Sequence, residues 1–360
     1  MSLRQVTTSS IPVVNIVSYS YKGGSGRSTG SVNIAFQLAR KGKLVVCLDM
    51  DVGAAGLHMI MSEWLPEAKA KIDENTEQIG HQNFLNLKGP TEQDFAKLEP
   101  AMLDLGTDDF RAYIAGESGQ GRLLFLFSGT RSRALNDLSG PPQGEKAFVE
   151  KYRILQQHLA RKIGGSERRE VYFIVDAPNG ITSVSLPLLK CADLILMFYR
   201  HSLQHILGTV EAGHKLHYYL MEEIDRRFMR ILLVGSCVPE RLIRGLAMAH
   251  RNGQIVDEDY GHDMMEKFEQ MAQKIAEFIK MYPGVVMRLD NEIVEDDVLK
   301  VLEQPLTNNG VRNAHLGNIG EGWDEWSSSR TRSKIAGISE SIAELGPQVV
   351  RRKNRMFGYE

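Results

Sequence analysis

Short apolar runs alternate along most of the chain with stretches whose apolar positions recur at helical spacing. Val13 to Ser18 is rich in Val and Ile and predicts a buried strand. After Ser28 the positions Val32, Ala35, Phe36 and Ala39 mark one face of a helix, and Arg40, Lys41 and Gly42 close it with a basic turn and a stop. Lys43 to Leu48 predicts a second strand, Leu123 to Phe127 a third and Val171 to Val175 a fourth. Leu194 to Tyr199, Ile231 to Val234 and Pro283 to Leu289 continue the series. Helical periodicity runs from Ala147 to Ile163, from about Ser202 through Val210, and from Asp263 to Lys280. Strands separated by single helices predict an α/β fold with a parallel sheet and right-handed crossovers.

Between the first strand and the first helix lies a glycine-rich turn, in the stretch PVVNIVSYSYKGGSGRSTGSVN from Pro12 to Asn33. Gly23, Gly24 and Gly26 let the backbone approach a ligand closely, and a helix N-terminus follows, so backbone amides can surround a polyphosphate. The P-loop pattern G-x-x-x-x-G-K-[ST] fails here at two places, with Tyr21 at the first glycine and Arg27 at the lysine. The stretch resembles the deviant P-loop of the ParA/MinD ATPases, x-K-G-G-x-G-K-[ST]-[ST]. Lys22 is that pattern's extra lysine, and Gly23, Gly24, Gly26, Ser28 and Thr29 match it. Arg27 makes the loop similar to a K-G-G-x-G-R branch.

Acids at strand ends strengthen the resemblance. The second strand ends Asp49-Met50-Asp51, where open α/β sheets bind their ligands. The fourth delivers Asp176 into Asp176-Ala177-Pro178-Asn179-Gly180, a Walker B arrangement in which a carboxylate holds a magnesium-bound water. Cys191-Ala192-Asp193 before the next strand is also similar to the family. The likeness spans about residues 12 to 305. It departs at Gly235 to Glu240, which contains no Asn where the family commonly has one that reads adenine.

The resemblance implies a three-layer α/β P-loop NTPase fold, with a mostly parallel central sheet and helices on both faces. Residues 1–305 would form the nucleotide-binding domain, with a helical insertion at about 62–121, and 306–360 a partly helical extension with a basic end. It further implies ATP and magnesium (Mg2+) as cofactors and ATP hydrolysis as the activity. Gly23, Gly24, Ser25, Gly26, Arg27, Ser28 and Thr29 would hold the nucleotide. Ser28, Asp49 and Asp176 would form the magnesium shell, and Asp51 would align the attacking water. Lys22 would reach the phosphates of the opposite subunit in an ATP-dependent homodimer. Arg27 keeps the lysine's charge without its point-charge geometry, which predicts slow or partner-dependent hydrolysis.

Composition narrows the class. The chain has 360 residues, 42% hydrophobic and 24% charged, with a formal net charge of -2, which is no general polyanion-binding surface. Cys47, Cys191 and Cys237 have no metal-like spacing and read as reduced thiols in or beside strands. With no signal peptide and no long apolar run, a cytoplasmic location is expected. Arg351, Arg352, Lys353 and Arg355 with Met356 and Phe357 suggest either a solvated basic end or a membrane-surface contact; the short apolar face and the break at Gly346-Pro347 favour the first. A protein partner is expected and is not identified by any motif. A nucleotide sensor without turnover, a partition factor on non-specific DNA, and a kinase or ligase on the same scaffold are the alternatives.

Overall fold

Nearly every side chain of the first strand is shielded from water, which explains why Val13, Val14, Ile16 and Val17 place apolar side chains on both faces, while the polar Asn15, Ser18 and Ser20 are buried with them. The computed structural model describes residues 11–51, 56–65, 92–106, 111–114, 120–128, 144–165, 169–200, 202–221, 230–236, 285–286, 338–340, 342–343 and 347. The strands are β1 (Val13–Ser20), β2 (Leu44–Asp49), β3 (Met102–Asp104), β4 (Arg122–Leu126), β5 (Val171–Asp176), β6 (Leu194–Arg200), β7 (Arg230–Ser236) and β8 (Val285–Val286). They form one eight-stranded sheet in the order β3-β4-β2-β5-β1-β6-β7-β8. Every pairing is parallel except that of β3 with β4.

The helices are α1 (Arg27–Arg40), α2 (Leu57–Trp64), α3 (Glu92–Ala96), α4 (Gly144–Gly164), α5 (Ser185–Cys191) and α6 (Leu203–Met221). From β1 the chain moves through α1 to β2, over one intervening strand; from β4 onward it moves the other way across the sheet. Right-handed crossovers travelling in opposite directions must leave their helices on opposite faces. Accordingly, α1 and α2 pack over one apolar cluster, with Val32, Phe36, Leu57 and Met61, while α4, α5 and α6 cover the other, with Tyr152, Leu188 and Ile206. This is the expected three-layer α/β fold.

One element differs from the expected pattern. The stretch from Phe95 to Leu105 reads as amphipathic helix within an inserted helical region, yet Met102–Asp104 forms the antiparallel edge strand β3 on β4. Leu103 packs with the α1 face and Met102 with the α4 face, so their alternation is that of a strand. Short 3-10 turns at Glu99–Ala101 and Arg111–Ile114 flank it. Cys47 is buried in β2, whereas Cys191 ends α5 and is half-buried. The helical expectation for Asp263 to Lys280, the segments 52–55 and 66–91, Cys237 and the basic end beyond Arg351 lie outside the described residues.

Residues far along the chain contribute to the core: Ile338 and Ile342 are both fully buried in the cluster under α1. An exposed ion pair of 3.1 Å joins Lys41, after α1, to Glu340. These two contacts differ in kind, since apolar burial is large and an exposed ion pair is weak. Ile338→Ala should therefore destabilise the protein by about 2–4 kcal/mol in urea unfolding. Lys41→Ala should change it by less than about 1 kcal/mol. A negligible effect of Ile338→Ala would mean that this segment does not dock on α1.

Candidate functional site

Parallel pairing brings three chain crossings to one edge of the sheet. Asp49, at the end of β2, lies opposite Asp176, at the end of β5, and Ser18 of β1 pairs with Asp176 from the other side. The ladder continues past the strand ends: the Met50 amide donates to the Asp176 carbonyl at 2.9 Å, and the Gly180 amide to Ser20 at 3.0 Å. The turn after β1 thus starts beside two carboxylates.

The geometry of the turn follows from its glycines. Gly24 and Gly26 have φ of 73° and 69°, a left-handed conformation that costs an ordinary side chain about 1 kcal/mol or more. Gly26 caps α1 without a side-chain hydrogen bond, so no capping side chain engages the first-turn amides of that helix. Those amides and the helix dipole suit an anion. Tyr21, which breaks the P-loop pattern, lies against α6: a Cβ on Gly208 would come within 2.0 Å of its ring. The Ser236 hydroxyl at the end of β7 donates to the Ser25 carbonyl, with the Tyr199 carbonyl at 3.1 Å as its alternative acceptor.

Arg27, the first residue of α1, is 6% exposed and organises the site. Its Nε donates to Asp176 Oδ1 at 2.5 Å and its Nη2 to Asp51 Oδ2 at 2.6 Å. Its Nη1 donates to Ser20 Oγ at 3.2 Å and Asn179 Oδ1 at 3.0 Å. The next residue, Ser28, donates from Oγ to the second Asp176 oxygen at 2.5 Å. Burial works against the guanidinium charge, but Asp176 and Asp51 more than offset it and raise the Arg27 pKa. Asp49 is fully buried, and its carboxylate accepts the amides of Asp51 at 3.2 Å and Leu57 at 3.1 Å. Burial, and after it the nearby Asp176, push the Asp49 pKa well above the usual carboxylate range. Burial raises that of Asp176 too, against the pull of Arg27 and Ser28.

Of the residues expected from the sequence, Arg27, Ser28, Asp49, Asp51 and Asp176 meet in this cluster. Gly23 and Ser25 lie in the adjoining turn; Lys22 and Thr29 are half-buried and make no side-chain bond to the acids. On α6, burial, and after it the charges of Arg200 and Lys22, lowers the pKa of His205. Ser20, Asn179 and Ser236 join the site without having been singled out. Asn179 lies in the D-x-P-x-G stretch and Ser20 ends β1, but what recruits them is the direction in which Arg27 extends.

Magnesium fits the donor set in part. Ser28 Oγ retains lone pairs beside Asp176, the pairing expected for an ion held mainly by substrate phosphates. Both Asp49 oxygens are engaged by backbone amides, so that carboxylate holds the turn after β2. Among the described residues, no group of three or more His, Cys, Asp and Glu side chains is arranged as a metal cage.

Three solved structures similar to this chain share its fold. MinD from Pyrococcus horikoshii, complexed with Mg-ADP, has a TM-score of 0.52 at 14% identity over 94% of this chain and 98% of its own. The pNOB8 ParA bound to nonspecific DNA has a TM-score of 0.54 at 12% identity, over 94% and 99%. The MinC:MinD cell division complex of Aquifex aeolicus has 0.51 at 16%, over 92% and 96%. No curated protein matches the chain significantly. Residues 16–345 match the model described as the CobQ/CobB/MinD/ParA nucleotide binding domain. With the loop, the strand-end acids and nearly the whole sheet inside that match, this chain belongs to the CobQ/CobB/MinD/ParA nucleotide-binding domain family.

Proposed function

We propose that the chain binds ATP with magnesium at residues 22–29 and acts as a cytoplasmic, ATP-dependent dimerising switch with slow or partner-stimulated hydrolysis. The observation that carries this reading is that Arg27 and Ser28, adjacent at the start of α1, both bond Asp176 while Arg27 also bonds Asp51. Loop, Walker-type hydroxyl and strand-end acids are thereby joined in one site. Phosphoryl transfer to water requires positioning and charge neutralisation more than covalent chemistry. The amides of Gly23, Gly24, Ser25 and Gly26 and the first turn of α1, including Thr29, would cradle the phosphates. Arg27 supplies a cation for them. Magnesium, with Ser28 Oγ as a ligand, Asp176 behind it and Asp49 nearby, would neutralise phosphate charge. Asp51 would orient the attacking water, and Lys22, which is not engaged by these acids, would reach the nucleotide of a second copy.

A second reading has a specific observation in its favour. Asp51, the carboxylate assigned to the water, is held by Arg27 at 2.6 Å. A chain that keeps this pair with nucleotide bound would sense ATP without turning it over. The partner is proposed as a protein positioned or regulated by the dimer. Of the similar folds, one is a MinC:MinD complex and another is ParA on nonspecific DNA. Salt-sensitive DNA retention that appears only with ATP would favour the DNA reading instead.

Three outcomes test these assignments. Calorimetry with magnesium should detect ATP binding, and its absence sinks the proposal. Lys22→Ala should bind ATP yet remain monomeric in size-exclusion chromatography with light scattering, whereas the unaltered chain dimerises with ATP. Asp51→Ala should retain ATP and lower phosphate release by about 10²-fold or more, if water is oriented there. No change in phosphate release on that substitution would favour the sensor.

A further inference from the structure

Arg27 stands where the loop's second lysine is expected, and its guanidinium does what an ammonium cannot. All three of its nitrogens are engaged: Nε with Asp176, Nη2 with Asp51, Nη1 with Ser20 and Asn179. A planar fork can bridge two separate carboxylates, whereas a lysine ammonium delivers its donors from a single point. The bridged place is where a hard divalent cation would find oxygen ligands. It has a carboxylate on each side and the Ser28 hydroxyl adjacent, already bonded to Asp176. The guanidinium and a divalent ion cannot both occupy it, because their charges repel strongly where water is excluded.

We propose that Arg27 is the resident cation of the Asp51–Asp176 pair and keeps divalent metal out until nucleotide phosphates draw the guanidinium away, so that metal enters only with nucleotide. The second half rests on the nucleotide-site reading above; the first half, exclusion of metal by Arg27, does not. The exclusion follows from contacts already made. Arg27 is 6% exposed, and both ion pairs, at 2.5 and 2.6 Å, have partners shielded from water. A metal arriving alone would have to expel this side chain while leaving its charge close by. Polyphosphate changes the balance, because it offers the guanidinium a bidentate anionic partner within reach of the same loop.

The test uses the full chain and Mn2+ as the probe, followed by electron paramagnetic resonance and by thermal unfolding, without nucleotide. The unaltered protein should show no specific Mn2+ binding and no upward shift of Tm with MnCl2. Arg27→Gln removes the charge and should bind Mn2+ at least about ten-fold more tightly, with Tm rising as MnCl2 is added. Adding Asp51→Asn to that variant should abolish the gain, which ties it to this pair of acids. Arg27→Lys keeps a charge but loses the bridge, so its Mn2+ affinity should lie between the two, and it carries the test should Arg27→Gln fail to fold. Equal Mn2+ affinity in the unaltered protein and in whichever variant folds overturns the proposal, as does a gain that survives Asp51→Asn. With ATP added, the unaltered protein should acquire bound Mn2+. Loss of ATP binding together with the variant's Mn2+ gain would sink the nucleotide reading and leave cation exclusion standing.

Discussion

Three carboxylates and one guanidinium share a volume nearly closed to water at the edge of the sheet, and the site depends on how that charge is balanced. Asp49 and Asp176 are side by side because β2 and β5 run parallel in a register that pairs them. Neither reaches solvent, and an ionised carboxylate so placed loses several kcal/mol of hydration. Backbone amides compensate Asp49, while Arg27 and Ser28 compensate Asp176. Removing one partner from a buried pair of this kind typically costs about 3–5 kcal/mol, far more than an exposed pair contributes. The bridge is therefore structural before it is chemical.

Because Arg27 is the first residue of α1, the same bridge fixes where that helix begins relative to the strands. The turn is held elsewhere too, by Ser236 bonding the Ser25 carbonyl and by Tyr21 lying against Gly208. Contacts from β5, β7 and α6 thus converge on a segment whose left-handed glycines would otherwise leave it many conformations. Pre-organisation of this sort reduces the ordering cost of binding an anion. It also explains Tyr21 in the glycine position, where it serves as a packing group rather than a phosphate contact.

The parts of this arrangement that could be read from the sequence are those where local and tertiary demands coincide. β1, β2, β5 and β6 are covered on both faces, so their apolar runs announce them, and each acid of interest directly follows such a run. β3 was not legible: three residues long, it exists by pairing with β4, and its surroundings have helical spacing. Ser20 and Asn179 were not legible either, because only the reach of Arg27 recruits them. Ile338 and Ile342 lie beyond a long polar tract, and no local pattern states which face of the sheet they will cover.

Replacing lysine by arginine in a phosphate loop is usually judged by what it does to the phosphate. Here the first consequence concerns the protein's own acids. If the loop takes nucleotide as proposed, Arg27 has two anionic destinations, a pair of carboxylates that is always present and a phosphate that comes and goes. A ligand can shift such an equilibrium only by its differential affinity for the two arrangements. Any affinity for nucleotide is therefore measured against a buried bridge that must first open, and the opening also releases Asp51. Occupancy of the loop and release of the Asp51–Asp176 pair are then a single equilibrium, set by one side chain that cannot serve both.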